Sequence, residues 1–303
     1  MCGFKLEYMK RTIDFIVDDR FSGRTVYDIL KEKLGMSGTL IKDLKKYGDG
    51  LMLNGEHIRT VDEVKSGDML RIAIYDFASE NIEPREMDLS VIYEDSDIII
   101  VDKPSGIPTH PSFGHLYDTL ANGIMAHYLK NGEEHVFRAV NRLDKDTSGL
   151  ICIAKHSYAH ARLCGGMHSG GIERRYMAIV TGVLRGSGTV DAPISRDSFI
   201  KRTVSPDGKR AVTHYRAVKA AEDCTLVELR LGTGRTHQIR VHMAHIGHPL
   251  LGDWLYGEEN AEAFPRQALH SSYLSLSHPV TGERLCFTAG LPEDMERYIN
   301  KSQ

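Results

Sequence analysis

Apolar residues recur at helical spacing early in the chain. In VYDILKEKLGM, Val26, Ile29, Leu30 and Leu34 share one face, which predicts a helix over 26–36. Ser37 is placed to cap a second helix whose buried stripe is Leu40, Ile41 and Leu44, with Gly48 and Gly50 ending it. LMLNGEHI then reads as a strand, an Asn54-Gly55 hairpin turn and a return strand. Gly67-Asp68 makes a further turn before the strand MLRIAIY. Residues 12–75 thus form a small α+β unit. Residues 76–88, DFASENIEPREMD, are polar and acidic and predict a linker.

From 89 onward the period shortens. Strands are predicted at 89–94 and 97–102, followed by a Pro/Gly-rich loop and a helix in DTLANGIMAHYL capped by Asp118 or Thr119. GLICIAK reads as a strand, HSYAHARLCGGMHSG as mostly helix, and GIERRYMAIVTGVL as a returning strand. Further strands are predicted at 211–219, 224–231 and 283–289. Sequential strands with tight turns and few helices predict an α+β fold for 89–300: a large mixed, mostly antiparallel sheet with flanking helices.

Composition adds limits. Of 303 residues, 41% are hydrophobic and 26% charged, as expected of a chain with a substantial core. No apolar run has the length of a membrane span, and the N-terminal segment lacks the pattern of a signal peptide. Five widely spaced cysteines without a CxxC point to a reducing, cytoplasmic setting. The net charge of −3 excludes a generally basic nucleic-acid binder, so a polyanion would need a local patch. Lys201, Arg202, Lys209, Arg210, Arg235 and Arg240 supply one, although such a run is often only a solvated face. G-x-G-x-x-G, Walker and G-x-S-x-G motifs are absent, and no cofactor is expected.

Two dense clusters carry the candidate chemistry. NRLDKDTSGL, 141–150, places Asp144 and Asp146 beside Arg142 and ahead of an apolar strand. TGRTHQIRVHMAHIGHPLLGD, 233–253, holds Arg235, Arg240 and the histidines 237, 242, 245 and 248. The histidines lack an accompanying Glu or Cys pair, so no metal is expected, and the cluster better suits a surface meeting phosphate or a planar base. A carboxylate near an arginine stays ionised, which serves a nucleophile and equally a structural salt bridge. The pattern alone leaves both readings open.

NRLDKDTSGL resembles the catalytic motif of the RluA-type pseudouridine synthases, His-Arg-Leu-Asp, two variable residues, then Thr-Ser-Gly. VDKPSGIPTHPS, ERRYMAIVTG, GKRAVTHYR, TGRTHQIRVHMAHIGHPLLGDWLYG and RQALHSSYLSLSHPVTGE resemble the other blocks of that family, in order across about 90–295. The resemblance implies the pseudouridine synthase fold and isomerisation of uridine in RNA, ribosomal or transfer. It implies Asp144 as the nucleophile, with Asp146 on a variable position. Tyr176 matches the active-site tyrosine, Arg240 the basic partner of the aspartate, and Arg142 the arginine that fills the gap left by the flipped nucleotide. Asn141 stands where the family usually has His and is expected to bond the loop or the RNA backbone. Arg235, His237, Lys201, Arg202, Lys209 and Arg210 are expected RNA contacts. Residues 12–75 resemble the small RNA-binding domain shared by a ribosomal small-subunit protein, tyrosyl-tRNA synthetase and many RNA-modifying enzymes, with Lys42, Lys45 and Lys46 on its helix. Gly38 replaces the arginine usual after the helix-starting serine. A monomer is expected. The alternatives are a non-catalytic RNA-binding or ribosome-assembly factor on the same fold, and a metal-dependent hydrolase using the histidines.

Overall fold

The computed structural model describes residues 8–77, 82–168, 170–257 and 264–301. Four antiparallel strands, β1 (Tyr8–Ile16), β2 (Leu51–Leu53), β3 (Glu56–His57) and β4 (Met69–Phe77), lie in the order β1-β4-β2-β3. Against them pack α1 (Val26–Asp28), which continues as the π-wound turn Ile29–Lys33, and α2 (Gly38–Leu44). The predicted stripes are the ones buried: Val26, Ile29, Leu30, Leu40, Ile41 and Leu44 share a core with Leu70, Ile72 and Ile74. The Ser37 hydroxyl accepts from the amide of Leu40 at 3.1 Å, so the cap falls where expected. Asn54 and Gly55 take φ of 52° and 91°, the left-handed pair a tight hairpin needs. Strand β1 escaped the sequence reading because it is an edge strand whose Lys10 and Asp14 face water while Arg11 turns to Asp97.

The second sheet has ten strands. Its path takes in β5 (Ser90–Glu94), β6 (Ile98–Lys103), β8 (Ser148–Ala154), β9 (Ile172–Thr181), β10 (Ser187–Asp191), β13 (Val212–Ala220), β14 (Cys224–Leu231) and β15 (Leu269–Ser277). Their order is β10-β13-β14-β9-β15-β8-β6-β5, with β7 (Arg138–Ala139) on β8 and β16 (Arg284–Thr288) on β15. All pairings are antiparallel except β8 with β15. A separate hairpin, β11 (Ile194–Arg196) and β12 (Arg202–Val204), projects beside it. Helices α3 (Leu120–Lys130), α4 (Ser157–His168), α5 (Gln238–His245) and α6 (Glu293–Lys301) complete the chain. No helix among the described residues is long and apolar enough to cross a membrane.

The parallel contact between β8 and β15 sets the position of the 141–148 loop. Gly149 has φ of +109°, and a Cβ there would lie 2.3 Å from the carbonyl oxygen of Ser271. Only glycine allows the two backbones this close. Strand β15 was not predicted, because its centre is built from His270, Ser271 and Ser275, which are buried although polar.

The N-terminal sheet is docked on the larger one. Tyr158 of α4 is buried in the N-terminal core, and its hydroxyl donates to the carbonyl of Leu34 at 3.0 Å. Asp76 of β4 accepts from the first amide of α4 (Ser157, 2.8 Å) and lies 3.2 Å from Arg138. A carboxylate at a helix start complements the helix dipole, here across two sheets. Downstream, Glu83 and Arg85 exchange hydrogen bonds with Asn122 of α3, and a Cβ on Gly123 would come within 3.0 Å of Met87. This part of the 76–88 segment therefore lies against α3, while 78–81 fall outside the described residues.

Candidate active site

Asp144 lies in the loop between β7 and β8, at the edge of a cleft of about 760 Å³. The loop is held from every side. Thr109 donates to the carbonyl of Leu143 at 2.8 Å. The Lys103 ammonium, fully buried, donates to the carbonyls of Pro104, Ile107 and Lys145 at 2.8, 2.8 and 3.0 Å. Burial pushes this ammonium down to about 7, against the fields of Asp146 and Asp144, which favour the charge. Arg266, itself paired with Asp294, donates to the carbonyl of Asp146, and His270 meets the Ser148 hydroxyl at 2.9 Å. The amide of Thr147 donates back to the carbonyl of Asp144, which makes residues 144–147 a tight turn containing Asp146.

Arg240 of α5 reaches this loop from the opposite wall. Its Nη1 is 3.3 Å from Oδ2 of Asp144. Its Nε and Nη2 are each 2.7 Å from the two oxygens of Asp253, which is fully buried. The fork thus belongs to Asp253, and Asp144 receives one remaining N–H. The guanidinium also packs on the ring of Tyr256, 5.1 Å from its centroid.

His237 approaches the same oxygen of Asp144 as Arg240 does, with Nε2 3.8 Å from Oδ2. It takes φ of 57°, a left-handed conformation rare outside glycine that marks stored strain at the start of α5. Its Nδ1 is 2.9 Å from the Tyr256 hydroxyl, which accepts from the amide of Arg202 at the same distance. This contact fixes the orientation of the ring, with Nε2 directed towards Asp144. Burial lowers the pKa of this imidazole, only partly offset by Asp144. The side chain of Gln238 binds the amide of Arg235 and the Thr233 hydroxyl, fixing the turn that carries His237.

Tyr176 of β9 is buried and lines the same cleft. Burial raises its phenol above the ordinary tyrosine value and Arg174 works the other way, so the ring is neutral near pH 7. A carboxylate with open coordination, a cation, an imidazole and a flat phenol ring thus surround one cleft large enough for a nucleoside.

The family model of RNA pseudouridylate synthases matches residues 97–245. An uncharacterized RNA pseudouridine synthase of Bacillus subtilis, YjbO, is 45% identical over 88% of this chain and 95% of its own. The chain belongs to the RNA pseudouridine synthases. A ribosomal large subunit pseudouridine synthase D of Pseudomonas aeruginosa is 40% identical over 80% of this chain and 81% of its own. Among solved structures, the human RNA pseudouridylate synthase domain containing 1 protein superposes with a TM-score of 0.57 at 25% identity, over 69% of this chain and 86% of that one. The synthase is accordingly an isomerase, and the mostly antiparallel sheet with a small N-terminal sheet is the expected fold.

The other predicted site residues of the synthase divide by position. Arg142, Arg202, Arg235 and His237 line the cleft. Lys201, Lys209 and Arg210 are exposed and not among its lining residues. Lys42, Lys45 and Lys46 are exposed at the end of α2, and Lys46 is paired with Asp43 beside a second cavity of about 490 Å³ between α2 and α4. Asn141 is buried in the lining of the cleft; its carbonyl accepts from the amide of Cys152 and its amide faces the carbonyl of Leu150 at 3.4 Å, which ties the loop to β8. The histidine cluster does not converge: His242 bridges Thr213 and Ala192, and His248 meets the carbonyl of Thr181. Sequence reasoning missed Lys103, Asp253 and Tyr256. Each lies inside a quoted block, and only the folded contacts reveal what it holds.

Proposed function

We propose that Asp144 is the nucleophile with which this synthase isomerises uridine, with Arg240 as its cation and Tyr176 as the wall against which the base rests. The observation that carries this reading is the division of Arg240. Its fork is taken by buried Asp253, so Asp144 is held in place yet keeps lone pairs free towards the cleft. The target nucleotide must leave its stack to reach such a cleft, at a cost of about a few kcal/mol. Arg142, exposed at the cleft edge, is suited to fill the vacancy. Asp144 then acts on the sugar or the base while the nitrogen–carbon bond to ribose breaks. The base turns and rejoins through carbon, with the displaced ring proton lost and one gained at nitrogen. No electrons are exchanged with a second reactant. With its phenol neutral, Tyr176 offers the base a flat surface and a hydrogen-bonding edge.

The substrate we infer is large-subunit ribosomal RNA, as the name of the Pseudomonas aeruginosa relative states for that protein. Residues 12–75 serve as an RNA-binding unit through Lys42, Lys45 and Lys46, and Arg202, Arg235, Lys201, Lys209 and Arg210 meet phosphates. The protein works in the cytoplasm as a monomer. Mapping pseudouridines in total RNA of a deletion strain tests the assignment: loss at a large-subunit position, restored by the wild-type gene, is expected. Loss confined to transfer RNA would overturn the substrate, and no loss at all would favour a binding or assembly role.

A further inference from the structure

Arg174 stands apart from the other buried cations. It is nine-tenths buried, and its Nε has no hydrogen-bond partner among the described residues. The other buried arginines are matched, Arg240 with Asp253 and Arg266 with Asp294. Buried Lys155 has Glu94 and Glu133, and buried Lys103 has three carbonyls. An unmatched buried guanidinium costs free energy, and such a group persists where a ligand completes it.

Its position shows which ligand. Residues two apart on a strand share a face, so Arg174 and Tyr176 of β9 point the same way and both line the cleft. Arg175 points the other way, tied to Glu173 and lying over Tyr273. Across the cleft, Gly234 leaves room for the guanidinium: a Cβ there would lie 3.2 and 3.3 Å from its two terminal nitrogens. The cation is thus lodged between the tyrosine strand and the turn that precedes His237. The anions that RNA brings to this place are its backbone phosphates, and a planar fork of donors matches a phosphate.

We propose that Arg174 is a substrate-positioning residue that grips one RNA backbone phosphate beside the flipped uridine. The inference rests on the synthase acting on RNA at this cleft. It assigns the extrusion step an anchor: Arg142 fills the vacated stack, while Arg174 holds the displaced backbone.

The test uses full-length protein and total RNA from a strain lacking its gene, with pseudouridine formation measured from about 50 to about 200 mM salt. Wild-type protein, Arg174→Met and Arg174→Lys are compared. Arg174→Met is expected to raise KM by about tenfold or more, as for loss of a charged hydrogen bond, and to reduce the slope of log kcat/KM against log salt by about one. Arg174→Lys is expected to keep the wild-type slope and most of the affinity. If Met destabilises the protein, Arg174→Gln carries the same expectation. An unchanged salt slope in the Met or Gln variant, with or without a change in kcat, overturns the proposal and leaves Arg174 a packing residue. Wild-type protein that modifies no RNA would instead overturn the reading of the cleft.

Discussion

The cleft and the junction between the two sheets are built from the same three residue types and do opposite work. At the junction, Asp97 is buried. Arg11 binds both its oxygens, at 2.7 and 3.1 Å, and His156 lies 2.8 Å from Oδ1. In the cleft, Asp144 is 30% exposed, with one arginine contact at 3.3 Å and one imidazole at 3.8 Å. The junction saturates its carboxylate and fastens the N-terminal sheet. The cleft orients its carboxylate and leaves it capacity. Degree of saturation, more than the identity of the partners, separates the buried aspartate of the junction from the one proposed as nucleophile. Arg240 shows both cases in one side chain, closed on Asp253 and open on Asp144.

Substitutions can break this contrast from either side. Arg240→Met should have the largest combined effect. It strips Asp144 of its cation and leaves Asp253 buried without a partner, at a cost of about 3–5 kcal/mol. Pseudouridine yield per folded molecule should drop by at least about 100-fold, and denaturant unfolding should show the stability loss. Asp97→Asn should cost stability on a similar scale, about 3 kcal/mol, by leaving Arg11 and His156 short of a charge. Its activity per folded molecule should stay near wild type. Catalytic loss in a well-folded Asp97→Asn protein would mean that the junction controls the cleft.

Acid should find the junction next. Burial pushes the Asp97 carboxyl up, but hydrogen bonds from His156 and Arg11 outweigh this and hold it well below the usual range. Its stabilisation is therefore complete above the unfolded value near 4 and is lost as pH falls below that. His270 acts at higher pH. Burial pushes its imidazole down to about 4, so the unfolded chain takes up a proton first as pH falls below about 6.5. Stability should decline by on the order of 3 kcal/mol between about pH 6.5 and 4. Thermal melts across that window should steepen this decline in wild type relative to His270→Gln. The smallest effect belongs to Asp146→Ala. A turn residue whose backbone carries the contacts should cost less than about threefold in activity, checked by the same yield assay.

The chain announces some of this arrangement and conceals the rest. Apolar stripes marked α1 and α2, and the run LICIA marked β8, because burial on one or both faces leaves a period in the sequence. Strand β15 left no such trace. Its buried serines satisfy themselves on neighbouring backbone, Ser271 on Leu150 and Ser275 on Leu285, and His270 meets the Ser148 hydroxyl. Hairpin β11–β12 is too short to carry a period. Within the cleft, Asp144, Tyr176 and Arg240 were singled out by family resemblance, and the fold brings Asp144 and Arg240 into contact and puts Tyr176 in the same lining. Asp253 was not, since nothing local shows that an aspartate after Leu-Gly will be fully buried under an arginine of α5. Arg174 and Arg175 are adjacent identical residues with opposite surroundings, a difference visible only once strand facing is known.

On the proposed function, the open carboxylate of the cleft does the chemistry. The most direct measurement is pseudouridine formation by purified Asp144→Asn on RNA from the deletion strain, with thermal unfolding and RNA binding recorded on the same preparation. Asn keeps the size of the side chain and removes the charge. No detectable pseudouridine, a melting temperature within about 3 °C of wild type and retained RNA affinity are expected. Wild-type yield from the Asn variant would contradict the proposed function.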